Sequence, residues 1–170
     1  KAVFAFLGVA IIGIVAFISG RGLRFRTYLV PVMAGFIFGV LADVVFATYI
    51  YSFVMGGVLT GYMLKEPGRL MPAVRAGGLN ASLIMAYIYV PNYAYVLQTP
   101  LADILGAMGG VTSEQVLTTF ATYLVMNSFV IIALVVLGAF VGGYLRSIIK
   151  PVVRKEEVPK ENAAPNPSPA

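Results

Sequence analysis

Residues 116–145 form a run of 30 consecutive positions without one charged side chain. A stretch that long and that apolar has few homes. A membrane-spanning helix needs about 20 predominantly apolar residues, and an uncharged run of about 18 or more is its ordinary signature. As a helix rising about 1.5 Å per residue this run would reach about 45 Å, so it has to tilt, bend or project beyond the hydrocarbon layer. The pattern recurs elsewhere: residues 2–19 are uncharged, and residues 27–64 carry a single charge, Asp43. With 59% hydrophobic and 11% charged residues and a mean hydropathy of +0.90, the 170-residue chain is far more apolar than a soluble domain requires. In lipid every backbone amide must find its partner within the protein, which leaves helices as the way to build such runs. The expected fold class is all-α, a polytopic transmembrane helix bundle.

Counting the helices turns on residues 27–64, which are too many for one span of about 20 residues. Two helices, near 28–43 and 47–64, divide them. Pro31 falls in the opening turn of the first, where its missing amide proton costs little. Asp43 then lies at the tight turn between them, as a solvated carboxylate; the competing reading makes it a functional carboxylate at membrane depth. A first helix at 2–19, one from about 76 to 90 and a final one from about 112 bring the count to five. The heavy positive charge follows the first apolar run instead of preceding it, so that run reads as a retained helix and not a signal peptide. The basic clusters at 21–26, 65–75 and 146–155 all belong on the cytoplasmic side, which five helices satisfy with the N-terminus outside and the C-terminus in the cytoplasm. Taking 27–64 as one long or re-entrant helix gives four and strands one basic cluster. The bundle is expected to occupy residues 1–148 of a multi-pass cell-membrane protein. The polar, Pro-rich tail at 149–170 cannot bury a core.

Glycines mark where these helices approach one another. Met55-Gly56-Gly57-Val58-Leu59-Thr60-Gly61-Tyr62 is echoed by Leu137-Gly138-Ala139-Phe140-Val141-Gly142-Gly143-Tyr144. Gly57 and Gly61 are four apart, as are Gly138 and Gly142, and Gly35 and Gly39. Each pair lies on one helix face and lets another backbone come into dense contact. With Gly56 and Gly143 these are the candidate helix-packing residues. The echo also suggests a weak internal duplication, with units at about 26–65 and 75–146.

Polar residues are sparse. Tyr87, Tyr89, Tyr93 and Tyr95 surround Pro91 and read as an interfacial tyrosine belt. Residues 99–108 suit a short amphipathic helix, and Thr112-Ser113-Glu114-Gln115 matches a capping box opening the last helix. Thr118, Thr119, Thr122, Asn127 and Ser128 in its outer half read as contacts between helices. The alternative is a polar or transport site built from Thr122, Asn127 and Asp43. The sequon Asn80-Ala81-Ser82 falls on the expected inner side, where glycosylation is disfavoured.

The chain contains no Cys and no His. That excludes thiolate or imidazole ligation of zinc, haem, copper or iron–sulfur clusters by this chain, and Cys or His catalysis. No acid–base pair or nucleophile–base set can be assembled on a common face, so no catalytic, cofactor or metal site is expected. The net charge of +5 sits at the ends of apolar runs and in the tail, and so reads as membrane orientation, not nucleic-acid binding.

At Gly56, Gly57, Gly61 and Tyr62, then Gly77-Gly78, then Gly142-Gly143-Tyr144, the chain resembles a group of uncharacterised small archaeal membrane proteins of about four helices. In these a Gly-Gly-x-x-x-Gly-Tyr helix end precedes a short loop and a helix opening on glycines. The resemblance implies a fold and a habitat more than an activity. The functional expectation is a non-catalytic integral membrane subunit, a scaffold or accessory component packing against partner helices in a larger complex. Its expected partners are membrane lipids and other membrane subunits or further copies of itself. The alternative is a small-solute transporter or its membrane substrate-binding component.

Overall fold

The uncharged runs become helices. A computed structural model of the chain describes residues 2–21, 25–47, 49–64, 70–98, 103 and 113–149. Among these it is all-α, with no strand and five helices: α1 Ala2–Gly20, α2 Phe25–Phe46, α3 Tyr49–Met63, α4 Leu70–Gln98 and α5 Ser113–Ile149. Three of them contain stretches long and apolar enough to cross a membrane, Thr27–Phe46, Leu70–Asn92 and Thr118–Ile149. The apolar parts of the other two, Phe6–Gly20 and Ile50–Met63, are shorter. Apart from Asp103, the expected short helix at 99–108 lies outside the described residues, as do Thr112 of the capping box and the tail from 150 onward.

Helix ends depart from the sequence expectation wherever proline was taken as a boundary. Pro31 is the seventh residue of α2, not a first-turn residue, because the helix starts at Phe25. It is buried there, and the Thr27 carbonyl four residues back loses its amide partner. Pro91 was expected to end the fourth helix near residue 90, yet α4 continues to Gln98. At its other end α4 begins at Leu70, so Pro72 falls in its first turn. The packing of a long helix against several neighbours outweighs one missing hydrogen bond.

The α2–α3 connection is tight. Ala47 adopts φ 49°, and its N–H donates to the Asp43 carbonyl at 2.8 Å. This is a left-handed helix cap of the kind glycine usually supplies. Asp43 is therefore in the last turn of α2, half-buried, with its backbone oxygen closing the cap.

Contacts between helices fix their relative directions. Gly57 lies against Val135 and Gly61 against Ala139, so α3 and α5 run parallel. Gly35 meets Gly56 and Thr60 while Gly39 meets Ser52, so α2 runs against α3. Gly77 lies by Val136 and Ala139 while Tyr89 reaches Leu124, so α4 runs against α5. Helix α4 touches all four other helices. The described basic residues Arg21, Arg75 and Arg146 consequently gather at one end of the bundle, and Asp43 and Glu114 at the other. One core cluster, Val32, Leu64, Ala73 and Ala76, lies toward the basic end. The larger one, built on Phe53, Ile84, Met85, Leu124, Ile131 and Val135, fills the rest.

Arg146 ties the basic end together. Its Nη1 donates to the Tyr62 carbonyl at 2.9 Å and to the Leu64 carbonyl, two groups at the C-terminus of α3 that have no partner within their own helix. A cation there also meets the negative end of the helix dipole. Arg146→Ala is expected to lower stability by about 1.5–3 kcal/mol, the range for hydrogen bonds to a charged group. Arg146→Lys should recover part of it, read as the thermal unfolding midpoint in detergent. Equal melting of all three proteins would show that the cap contributes nothing.

Candidate functional site

Helix α3 is enclosed between α2 and α5 by glycine on both flanks. A Cβ added at Gly57 would strike the Val135 carbonyl, one at Gly61 the Ala139 carbonyl, and one at Gly142 the Val58 carbonyl; at Gly138 it would lie 2.5 Å from the Val54 oxygen. On the other flank a Cβ at Gly56 would lie 2.6 Å from the Gly35 oxygen, and one at Gly35 would meet both Thr60 Oγ1 and the Gly56 carbonyl. Gly39 is looser, 3.3 Å from the Ser52 oxygen, and Gly143 looser still, 3.8 Å from the Gly61 oxygen. The two echoing stretches are thus two sides of one contact. Backbone meets backbone, and no side chain separates them.

Against this contact the bundle buries a polar pair. Thr60 Oγ1 donates to the Gly56 carbonyl of its own helix at 3.0 Å and accepts from Asn80 Nδ2 of α4 at 2.8 Å. Both residues are 0% exposed, and Asn80 Oδ1 has no hydrogen-bond partner among the described residues. The Asn80 sequon is therefore closed to an oligosaccharide by burial. One serine contact joins α1 to α4. Gly78 lies directly under Ser19 Oγ, and Ser82 Oγ donates to the Gly78 carbonyl at 2.9 Å.

A second polar group joins α4 to α5 nearer the acidic end. Tyr89 Oη is 2.8 Å from Ser128 Oγ, and Ser128 donates to the Leu124 carbonyl at 2.7 Å. Asn127 Nδ2 donates to Tyr89 Oη at 3.5 Å. Tyr89 is thus buried in the core, not in the expected surface belt, while Tyr87 is exposed and makes an edge-on ring contact with Phe36 at 6.5 Å. The side chains of Tyr93 and Tyr95 lie outside the described residues.

The three residues suggested as a polar or transport site separate. Asn127 reaches Tyr89, Thr122 is exposed on α5, and Asp43 sits in the last turn of α2. Of the polar residues on α5, Thr118 bonds back to the Glu114 carbonyl at 3.0 Å and is exposed, as is Thr119, while Asn127 and Ser128 make contacts between helices. Thr60, Asn80, Tyr89 and Arg146 are the polar residues that the sequence did not single out as a site. A Thr four residues after a glycine, and an Asn in a glycine-rich helix start, are the faint signals available for the first two.

Tyr89→Phe removes one hydroxyl from this group and leaves Ser128 its bond to Leu124. It is expected to cost about 0.6 kcal/mol, and at most about 1.7 kcal/mol, the span measured for polar contacts within membrane bundles. Thermal unfolding in detergent measures it; a loss beyond that span would mean the hydroxyl anchors more than α4 to α5.

No protein-family model, curated protein or solved structure matches the chain.

Proposed function

We propose that the chain is a multi-pass membrane protein acting as a non-catalytic structural or accessory subunit, assembled with other membrane subunits or with copies of itself. The observation that carries this reading is the closure of the interior around α3. A transporter places a polar, solute-sized site between repeats near the midplane, using broken helices and unwound backbone. Here α3 has backbone contacts on two flanks, and the described polar groups occupy separate places, each engaged with a helix. The glycine faces are filled by helices of the same chain. A partner would instead meet the apolar flanks of α1, α2 and α5, where Phe6, Phe17, Val45, Met126 and Phe129 stand exposed. In a bilayer that coat suits lipid and neighbouring helices alike.

The gathering of Arg21, Arg75 and Arg146 at one end supports a cytoplasmic placement of that end by the positive-inside rule. The parallel packing of the two glycine stretches supports a weak duplication. Blue-native electrophoresis of gently solubilised membranes tests the assembly: migration above the monomer is expected, and migration as a lone monomer counts against it. A small-solute transporter is the competing reading, favoured by the contact of Asn127 with Tyr89. A solute that raises the unfolding midpoint of the parent protein but not of Asn127→Ala would move the assignment there.

A further inference from the structure

Helices α1 and α2 are consecutive, yet they are not packed on each other; both lean on α4. The space left between them is a cavity of about 270 Å³, walled by Ala16 and Gly20 of α1, by Tyr28, Leu29 and Val32 of α2, and by Leu83 of α4 among others. Its shape follows from the sequence. Gly78 draws α1 against α4 at Ser19, while Ala16 and Gly20 offer little side chain to fill the gap they line. Water is a poor filling, because an apolar cavity offers few polar partners and the hydroxyl of Ser82 in its wall is already bonded to Gly78. Left empty, the walls would forfeit dispersion contacts on every side.

The cavity lies at the basic end. Gly20 is the last residue of α1, and Arg21, exposed, follows in a turn whose N–H donates to the Phe17 carbonyl at 3.1 Å. Across the cavity Tyr28 brings a phenol of the kind that settles at headgroup level. An apolar slot whose wall ends at Gly20, next to the exposed cation Arg21, matches one molecule in its chemistry: a lipid with a hydrocarbon chain and an anionic head. From Gly20 to Ala16 the wall is four residues deep, about 6 Å, which receives the part of a chain just below its headgroup.

We propose that this slot binds an acyl chain of an anionic phospholipid, with the phosphate held at Arg21. The proposal rests on the membrane reading above. The test uses the full chain purified in detergent, with dioleoylphosphatidylglycerol, dioleoylphosphatidylcholine and inorganic phosphate as probes. Native mass spectrometry reads retained lipid, and thermal unfolding reads stabilisation. The parent is expected to retain phosphatidylglycerol about fivefold better than phosphatidylcholine, the effect of one arginine near an anionic surface. Arg21→Gln should bring the two lipids to parity, Ala16→Phe should reduce retention of both, and inorganic phosphate should leave the midpoint unmoved.

Equal retention of both lipids by the parent overturns the proposal, as does an undiminished preference in Arg21→Gln. Stabilisation by inorganic phosphate equal to that by lipid overturns it too, since the chain would then be irrelevant. Should Ala16→Phe fail to fold, the exposed Arg21 variant still decides. Extraction of the protein from cell membranes by alkaline carbonate would overturn the membrane reading itself; a protein that resists extraction but shows no lipid preference loses only the slot.

Discussion

Gly61→Ala is expected to prevent α3 from docking on α5, lowering stability by about 3 kcal/mol or more, at or beyond the upper end for overpacked cores. The added methyl group would fall on the Ala139 carbonyl, with the Ala139 Cα 2.8 Å away. Backbone cannot turn aside as a flexible side chain can, so the two helices must separate. The same substitution at Gly13 supplies the control. Nothing lies within 4 Å of a Cβ there, and replacing a helical glycine with alanine in open space should be neutral or stabilising by up to about 1 kcal/mol. Between these extremes the structure sets an order: Gly142→Ala should resemble Gly61→Ala, Gly39→Ala should cost less, and Gly143→Ala less again. Thermal unfolding in detergent micelles measures the series. If Gly61→Ala and Gly13→Ala melt together, the close approach of α3 and α5 is wrong.

That order was only half legible in the sequence. Glycines four apart declare a face, and the five apolar runs declare the helices, because both signals are local and periodic. What the sequence left open was which backbone each face meets. Gly57 and Gly61 were expected to pack on a neighbouring helix, and the neighbour is α5, at Val135 and Ala139, nearly eighty residues later. Proline misled at Pro31 and Pro91, since a local rule about helix boundaries yields to packing along a whole span. Tyr89 misled for the converse reason. Its neighbours near Pro91 suggested a wet surface, and only the approach of Ser128 and Leu124 from α5 gives its hydroxyl a buried place. Arg146 was read from sequence as a mark of orientation. The structure adds a second task, closing the end of α3.

Asn80→Ala carries the second large expectation. Truncating this fully buried side chain removes its bond to Thr60 and leaves a cavity between α4, α3 and α2, for an expected loss of about 2–3 kcal/mol. Much of that loss could be packing alone, so the polar pair has to be separated from the space it fills. Thr60→Val keeps the shape and deletes the hydroxyl, leaving Asn80 Nδ2 without its acceptor. If the bond between them matters, the double variant should lose less than the two single losses added, by about 0.6–1.7 kcal/mol. Asn80→Leu probes the remaining atom. Asn80 Oδ1 is buried without a partner among the described residues, a condition that costs about 1–3 kcal/mol, so an apolar side chain of similar size would relieve it. Asn80→Leu in the Thr60→Val background should then be more stable than Asn80→Ala in the same background. Strict additivity of Thr60→Val and Asn80→Ala would reduce the pair to a spacer that fills volume beside Gly35. A positive coupling would make it the polar clasp that sets the register of α4 on α3.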